Sequence, residues 1–187
     1  MQRTCRWSTE EGEGVEHLAL RQSGDGYAAD GVIVSPSFGA MFTGELFACR
    51  YAIACDAQWR VRQVQLQVMG GATLLLRGDG AGHWAGADGA PLPGLDACID
   101  IDISGTPFTN TLPIRRLGEQ LRQRQQIRVA YITLPQASVA PSHQAYTALG
   151  AGRYLFKSLS DPFQAEIATD ADGLVVDYPG LFRRLAS

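Results

Sequence analysis

The chain has 187 residues, enough for one domain with a sizeable core, and 45% of them are hydrophobic, an ordinary share for a globular protein. A formal net charge of −3 argues against a nucleic-acid binder, which would carry a basic face. No run approaches the ~18 apolar residues of a membrane span, and the first residues lack the apolar core of a signal peptide. The expectation is a single cytoplasmic domain over 1–187, with no stable membrane insertion.

Residues 1–30 are polar and glycine-rich and read as one early strand, 15–20, between loops. A further strand is expected at 31–34, closed by Ser35-Pro36-Ser37. From 44 to 55 the pattern has period two, with Phe47, Cys49, Tyr51, Ile53 and Cys55 on one face. Arg50 projects from the opposite, small-residue face and is expected to reach solvent. In 59–68 the apolar phase switches from Trp59 and Val61 to Val64, Leu66 and Val68, the mark of a β-bulge. Gly70-Gly71 turns the chain into a hairpin partner, and Asp79-Gly80 and Asp88-Gly89 are turn signals flanking Trp84.

The next stretch is the most specified. Ile99, Ile101 and Ile103 alternate with Asp100, Asp102 and Ser104. After Gly105, Thr106 reads as a helix N-cap with Pro107 at the first helical position. Helical propensity continues over 112–127, limited by Pro113 and weakened by Gly118. Strands are expected again at 127–134 and around Tyr146, Tyr154, Phe163 and Leu174, with a hairpin at Asp172-Gly173 and one terminal turn over 179–185. Many short strands between Gly/Asp turns make a mainly β fold, antiparallel and curled or barrel-like.

Asp100 and Asp102 project the same way, roughly 6.5–7 Å apart along the strand. Three readings stay open: a solvated strand face, an acidic ligand pocket, or paired catalytic carboxylates. Arg115 and Arg116 could hold an anionic head group or pair with those acids. Asn110 could close its own backbone turn or bond a sugar hydroxyl. Trp59 and Trp84 are sugar-stacking types but as lone features belong more often to a core. His17, His83 and His143 show no metal spacing, and Cys5, Cys49, Cys55 and Cys98 form no CxxC pair, so neither a metal nor a disulfide framework is expected. No GxSxG or phosphate-cradling motif is present, and nothing calls for a cofactor.

Cys55-Asp56-x-x-Trp59-Arg60-Val61-Arg62, Cys98-x-Asp100-x-Asp102, Thr106-Pro-Phe-Thr-Asn-Thr-Leu-Pro-Ile-Arg-Arg116, Val129-Ala-Tyr131 and Val176-Asp-Tyr-Pro-Gly-Leu181 together resemble a bacterial glycolipid-binding family, formerly a domain of unknown function. The resemblance runs from about residue 44 to the C-terminus. It implies a large antiparallel sheet wrapped around a single helix, a tight homodimer, a remote likeness in shape to lipoprotein carriers, and an acidic pocket for a glycolipid or sugar head group. In that setting Asp56, Asp100, Asp102 and Asp177 are expected to accept hydroxyl hydrogen bonds. Arg60, Arg115 and Arg116 would balance them or meet a phosphate, Trp59 would stack, and Asn110 and Tyr131 would complete the ligand set. The alternatives are a hydrolase of glycosides or lipids using Asp100 and Asp102, and a dimeric scaffold without ligand.

Overall fold

The computed structural model describes residues 2–36 and 45–186. Among the described residues fourteen strands form one sheet. The first seven are β1 (Gln2–Thr9), β2 (Val15–Ser23), β3 (Gly26–Pro36), β4 (Leu46–Cys55), β5 (Val61–Val68), β6 (Thr73–Gly78) and β7 (Trp84–Ala85). The remainder are β8 (Asp100–Ile103), β9 (Gln125–Thr133), β10 (Ser138–Gly150), β11 (Arg153–Ser158), β12 (Gln164–Thr169), β13 (Val175–Tyr178) and β14 (Phe182–Arg184). Neighbours run β7 down to β1, then β14 down to β8, so β1 and β14 join the two halves and the sheet stays open at β7 and β8. A large curled, mainly β sheet with a single helix is thus the architecture.

Among the described residues every pairing is antiparallel except β8 with β9. That pair is parallel because the helical passage between them carries the chain back to its starting side. The passage comprises a 3-10 turn (Pro107–Asn110), helix α1 (Thr111–Leu117) and a second 3-10 turn (Gly118–Arg122). Thr106 is the expected cap: its side-chain oxygen accepts from the Phe108 N–H at 2.9 Å. Pro113 falls in the first turn of α1, where its missing donor matters little. Gly118, at φ 49 and ψ −121, ends the α-helix. The helical expectation over 112–127 is therefore corrected: α1 stops at Leu117 and β9 has begun by Gln125.

Two further expectations change. Residues 1–30 hold β1, β2 and the first part of β3, because Cys5, Trp7 and Thr9 alternate inward with few other apolar residues to mark the pattern. Residues 179–185 contain strand β14, with the turn confined to the three residues 179–181 between the paired Tyr178 and Phe182. The bulge is where the phase switch placed it. Ala54 faces Gln63 but Cys55 faces Val61, leaving Arg62 as the extra residue. Strand β4 begins at Leu46, while Ser37 and Gly44 lie outside the described residues.

Side chains fill the inner side of the curl in two clusters. The larger gathers residues from β1 to β9, such as Trp7, Leu20, Tyr51, Leu66 and Ile101; the smaller gathers Tyr146, Phe156, Ile167, Tyr178 and Phe182. The helical passage joins them, sending Phe108 and Leu112 into the first and Ile114, Leu117 and Leu121 into the second. Each fully buried side chain of this size contributes roughly 2 kcal/mol. Trp84 belongs to the core, and its indole N–H donates to the Cys98 carbonyl at 2.6 Å, tying edge strand β7 to the approach of edge strand β8.

Candidate functional site

Three carboxylates, Glu16 and Asp100 buried and Asp102 half-buried, hold the helical passage along its length. At its start, Glu16 of β2 accepts from the Thr106 hydroxyl at 2.8 Å and from the Tyr51 hydroxyl. Gly31 makes room for that tyrosine, since a Cβ there would fall 2.1 Å from its ring. Midway, Asp102 accepts from Thr109 at 3.0 Å and from the Gln144 amide at 2.6 Å. Near the end, Arg116 forks onto Asp100, with its Nε 2.9 Å from one carboxylate oxygen. Asn110 adds a fourth tie, accepting from the Tyr146 hydroxyl at 2.9 Å and donating to the Pro107 carbonyl at 3.3 Å.

These environments shift protonation. Burial pushes the Glu16 carboxyl up to about 8, against the Tyr51 and Thr106 hydrogen bonds that pull it down. Burial also raises Asp100, opposed by Arg116, and Asp102, opposed by Gln144 and Thr109. Tyr131 lies beside Asp102; burial and that nearby charge push its phenol up to about 12.

The expected site residues divide into two groups and a remainder. Asp100, Asp102, Asn110 and Arg116 meet in the interior, with Tyr131 alongside. Asp100 exposes none of its surface, so the solvated-face reading is corrected there: its carboxylate meets Arg116 and not solvent. The second group lies at the β4–β5 turn. Asp56 accepts from the Gln58 and Arg60 backbone amides, each at 3.0 Å, and pairs with the Arg60 guanidinium at 2.8 Å. That turn holds Trp59 at φ 62, a left-handed conformation that L-residues avoid. The Trp59 ring stacks on Tyr27 with centroids 4.0 Å apart and carries the Arg115 guanidinium 5.2 Å above it. Asp177 joins neither group and stands 3.8 Å from Arg183. Arg50 does reach solvent, 3.7 Å from Asp30.

An open cleft of ≈ 640 Å³ adjoins the second group. It lies between the end of α1 with its following 3-10 turn, the β10–β11 hairpin and the β12–β13 turn. Ile114, Leu149 and Tyr154 give it apolar surface, Gly150 and Gly152 expose backbone, and Arg115, Arg122 and Arg153 stand on its walls. Arg115 was legible in the sequence, but none of the other cleft residues, which come from three separate segments. Glu16 was missed as well, although a signal existed: Glu16 shares the inward phase of Leu18 and Leu20, where a carboxylate has no solvent. Among the described residues no cluster of His, Cys, Asp or Glu could hold a metal, and no helix is long and apolar enough to cross a membrane.

Residues 4–184 match the model of a family described as "Putative glycolipid-binding". A crystal structure of a DUF1089 family protein from Pseudomonas aeruginosa is 40% identical and superposes with a TM-score of 0.77. The alignment covers 91% of this chain and 92% of that one. No curated protein matches.

Proposed function

Since the chain belongs to this glycolipid-binding family, we propose that it binds a glycolipid or a related sugar-bearing amphiphile, and that the open cleft is where it does so. The observation that carries the reading is the cleft itself. Its ≈ 640 Å³ lies within the range of small-molecule sites, about 300–1,000 Å³. Ile114, Leu149 and Tyr154 would take part of an acyl chain, each buried methylene contributing about 0.8 kcal/mol. Sugar hydroxyls would meet the exposed backbone at 150–152 and the Glu119 carboxylate. The interior acids Asp100 and Asp102 would act at one remove, by holding the helical passage that forms one wall.

Native mass spectrometry of protein purified under mild conditions tests this. A co-purifying lipid mass, absent from an Ala171→Trp variant that fills the cleft from its exposed rim, is the expected result. Lipid retained by that variant would move the site elsewhere.

A dimeric scaffold is the second reading, favoured by one observation. Val15, Val32, Val34 and Leu46 are exposed on the outer face of β2, β3 and β4, with Val15 registered against Val34. Such an apolar row suits a second copy of the chain. A clean dimer without bound lipid, dissociated by Val34→Lys, would favour this role over ligand binding.

A further inference from the structure

The two adjacent arginines of the central motif have opposite surroundings. Arg116 turns inward and is matched by Asp100. Arg115 turns outward, lies on the cleft wall, and among the described residues makes no ion pair. The other charged groups of the cleft are already matched. Arg122 pairs with Glu119 at 2.5 Å and Arg153 with Glu166 at 2.7 Å. Asp170 receives Arg3 at 2.9 Å and Arg184 at 2.7 Å. The unmatched charge of the cleft is therefore one guanidinium.

That guanidinium is also held in place. Below it lies the Trp59 ring, which the hydrogen-bonded 56–60 turn keeps in a strained backbone conformation. Beside it lies Gly173, where a Cβ would fall 2.9 Å from the Arg115 Cδ, so the side chain lies closely across that turn. A planar fork of N–H donors, fixed on an aromatic face at the edge of apolar surface, suits two oxygens of one oxyanion.

We propose that the ligand of this cleft carries an anionic head group, a phosphate or carboxylate, and that Arg115 is the residue that reads it. The proposal rests on the amphiphile-binding reading above and adds the charge of the head group. It runs against the expectation of an acidic pocket: the acids are interior, and the charge left for a ligand is positive.

Calorimetric titration of the full chain with dodecyl phosphate, dodecyl maltoside and inorganic phosphate, each detergent below its micellar concentration, tests it. The expected result is dodecyl phosphate binding about tenfold or more tighter than dodecyl maltoside at low salt, the gap narrowing as salt rises. Arg115→Gln should abolish the gap while keeping the maltoside affinity, and Arg115→Lys should retain part of it through charge without the fork. Arg21→Gln, which removes a cation paired with Asp30 outside the cleft, should change the gap less than about threefold. Equal binding of the two detergents, or a gap unchanged in Arg115→Gln, overturns the head-group assignment and leaves the amphiphile reading standing. Binding of inorganic phosphate through Arg115 with no detergent binding overturns the amphiphile reading and leaves an oxyanion site. Binding of none overturns both. Arg115 is exposed, so Arg115→Gln should keep the wild-type circular dichroism, and the comparison reads binding and not folding.

Discussion

The helical passage has two unlike ends. At 106–110 every polar side chain is buried and bonded inward: Thr106 to Glu16, Thr109 to Asp102, Asn110 to Tyr146. At 115–122 the chain surfaces, Gly118 breaks the α-helix, and Arg115 and Arg122 stand along a cleft. The first end is tied inward through each of these side chains, so change there should register as stability. The second leaves one cation unmatched, so change there should register as binding. A polar-rich motif divides into anchor and site according to which way each residue faces, and Arg116 beside Arg115 draws that line between adjacent positions.

The largest expected effect tests the anchor. Arg116→Leu leaves the Asp100 carboxyl buried without its cation, and should lower unfolding stability by about 3–5 kcal/mol at pH 7 in urea titrations. A loss below about 1 kcal/mol would mean that the pair does not hold the passage.

Next comes the pH response of Glu16. Its carboxyl titrates near 8 in the folded protein against 4.5 for the free group, so the native state holds the proton more tightly. The associated stability is fully present below about pH 4.5 and is lost as pH rises through about 8, by roughly 5 kcal/mol in all. Glu16→Gln keeps an oxygen to accept from Tyr51 and Thr106, and should flatten this slope in unfolding curves taken from pH 5 to pH 9. A slope unchanged in the variant would assign the pH response to other groups.

Tyr146→Phe strips Asn110 of a buried donor and should cost about 1–2 kcal/mol, read as a lowered urea midpoint with dodecyl maltoside affinity unchanged. A weakened affinity would mean that the two ends are coupled. Smallest of all, Arg115→Gln should leave stability within about 0.5 kcal/mol, since it removes only a partly exposed cation–aromatic contact. A larger loss would move Arg115 from site to anchor.

Much of the fold was legible because short-range pattern and local sterics decide it. The inward face of β4, the bulge at Arg62, the Thr106 cap and the Gly70-Gly71 and Asp172-Gly173 turns all follow from neighbours within a few residues. The first two strands and the last were harder, since β1 carries only Cys5 and Trp7 as apolar inward markers and β14 is three residues long. Their identity comes from pairing with each other across nearly the whole chain. The candidate site was less legible still. The motif drew attention to its acids, yet Asp100 and Asp102 look outward on paper only because strand alternation is blind to a helix packed over the polar face.

By itself, then, the sequence determined the strand periodicities, the start of the single helix and the family, all of which depend on the order of residue types along the chain. Only the tertiary structure decided which charges are matched. Asp100 finds Arg116 16 residues away, Glu16 finds Thr106 90 residues away, and Asp170 finds Arg3 167 residues away. Electrostatic pairing depends on distance in space, and the curl of the sheet sets that distance. It is the same curl that leaves Arg115 without a paired carboxylate among the described residues, above a tryptophan and beside an open cleft.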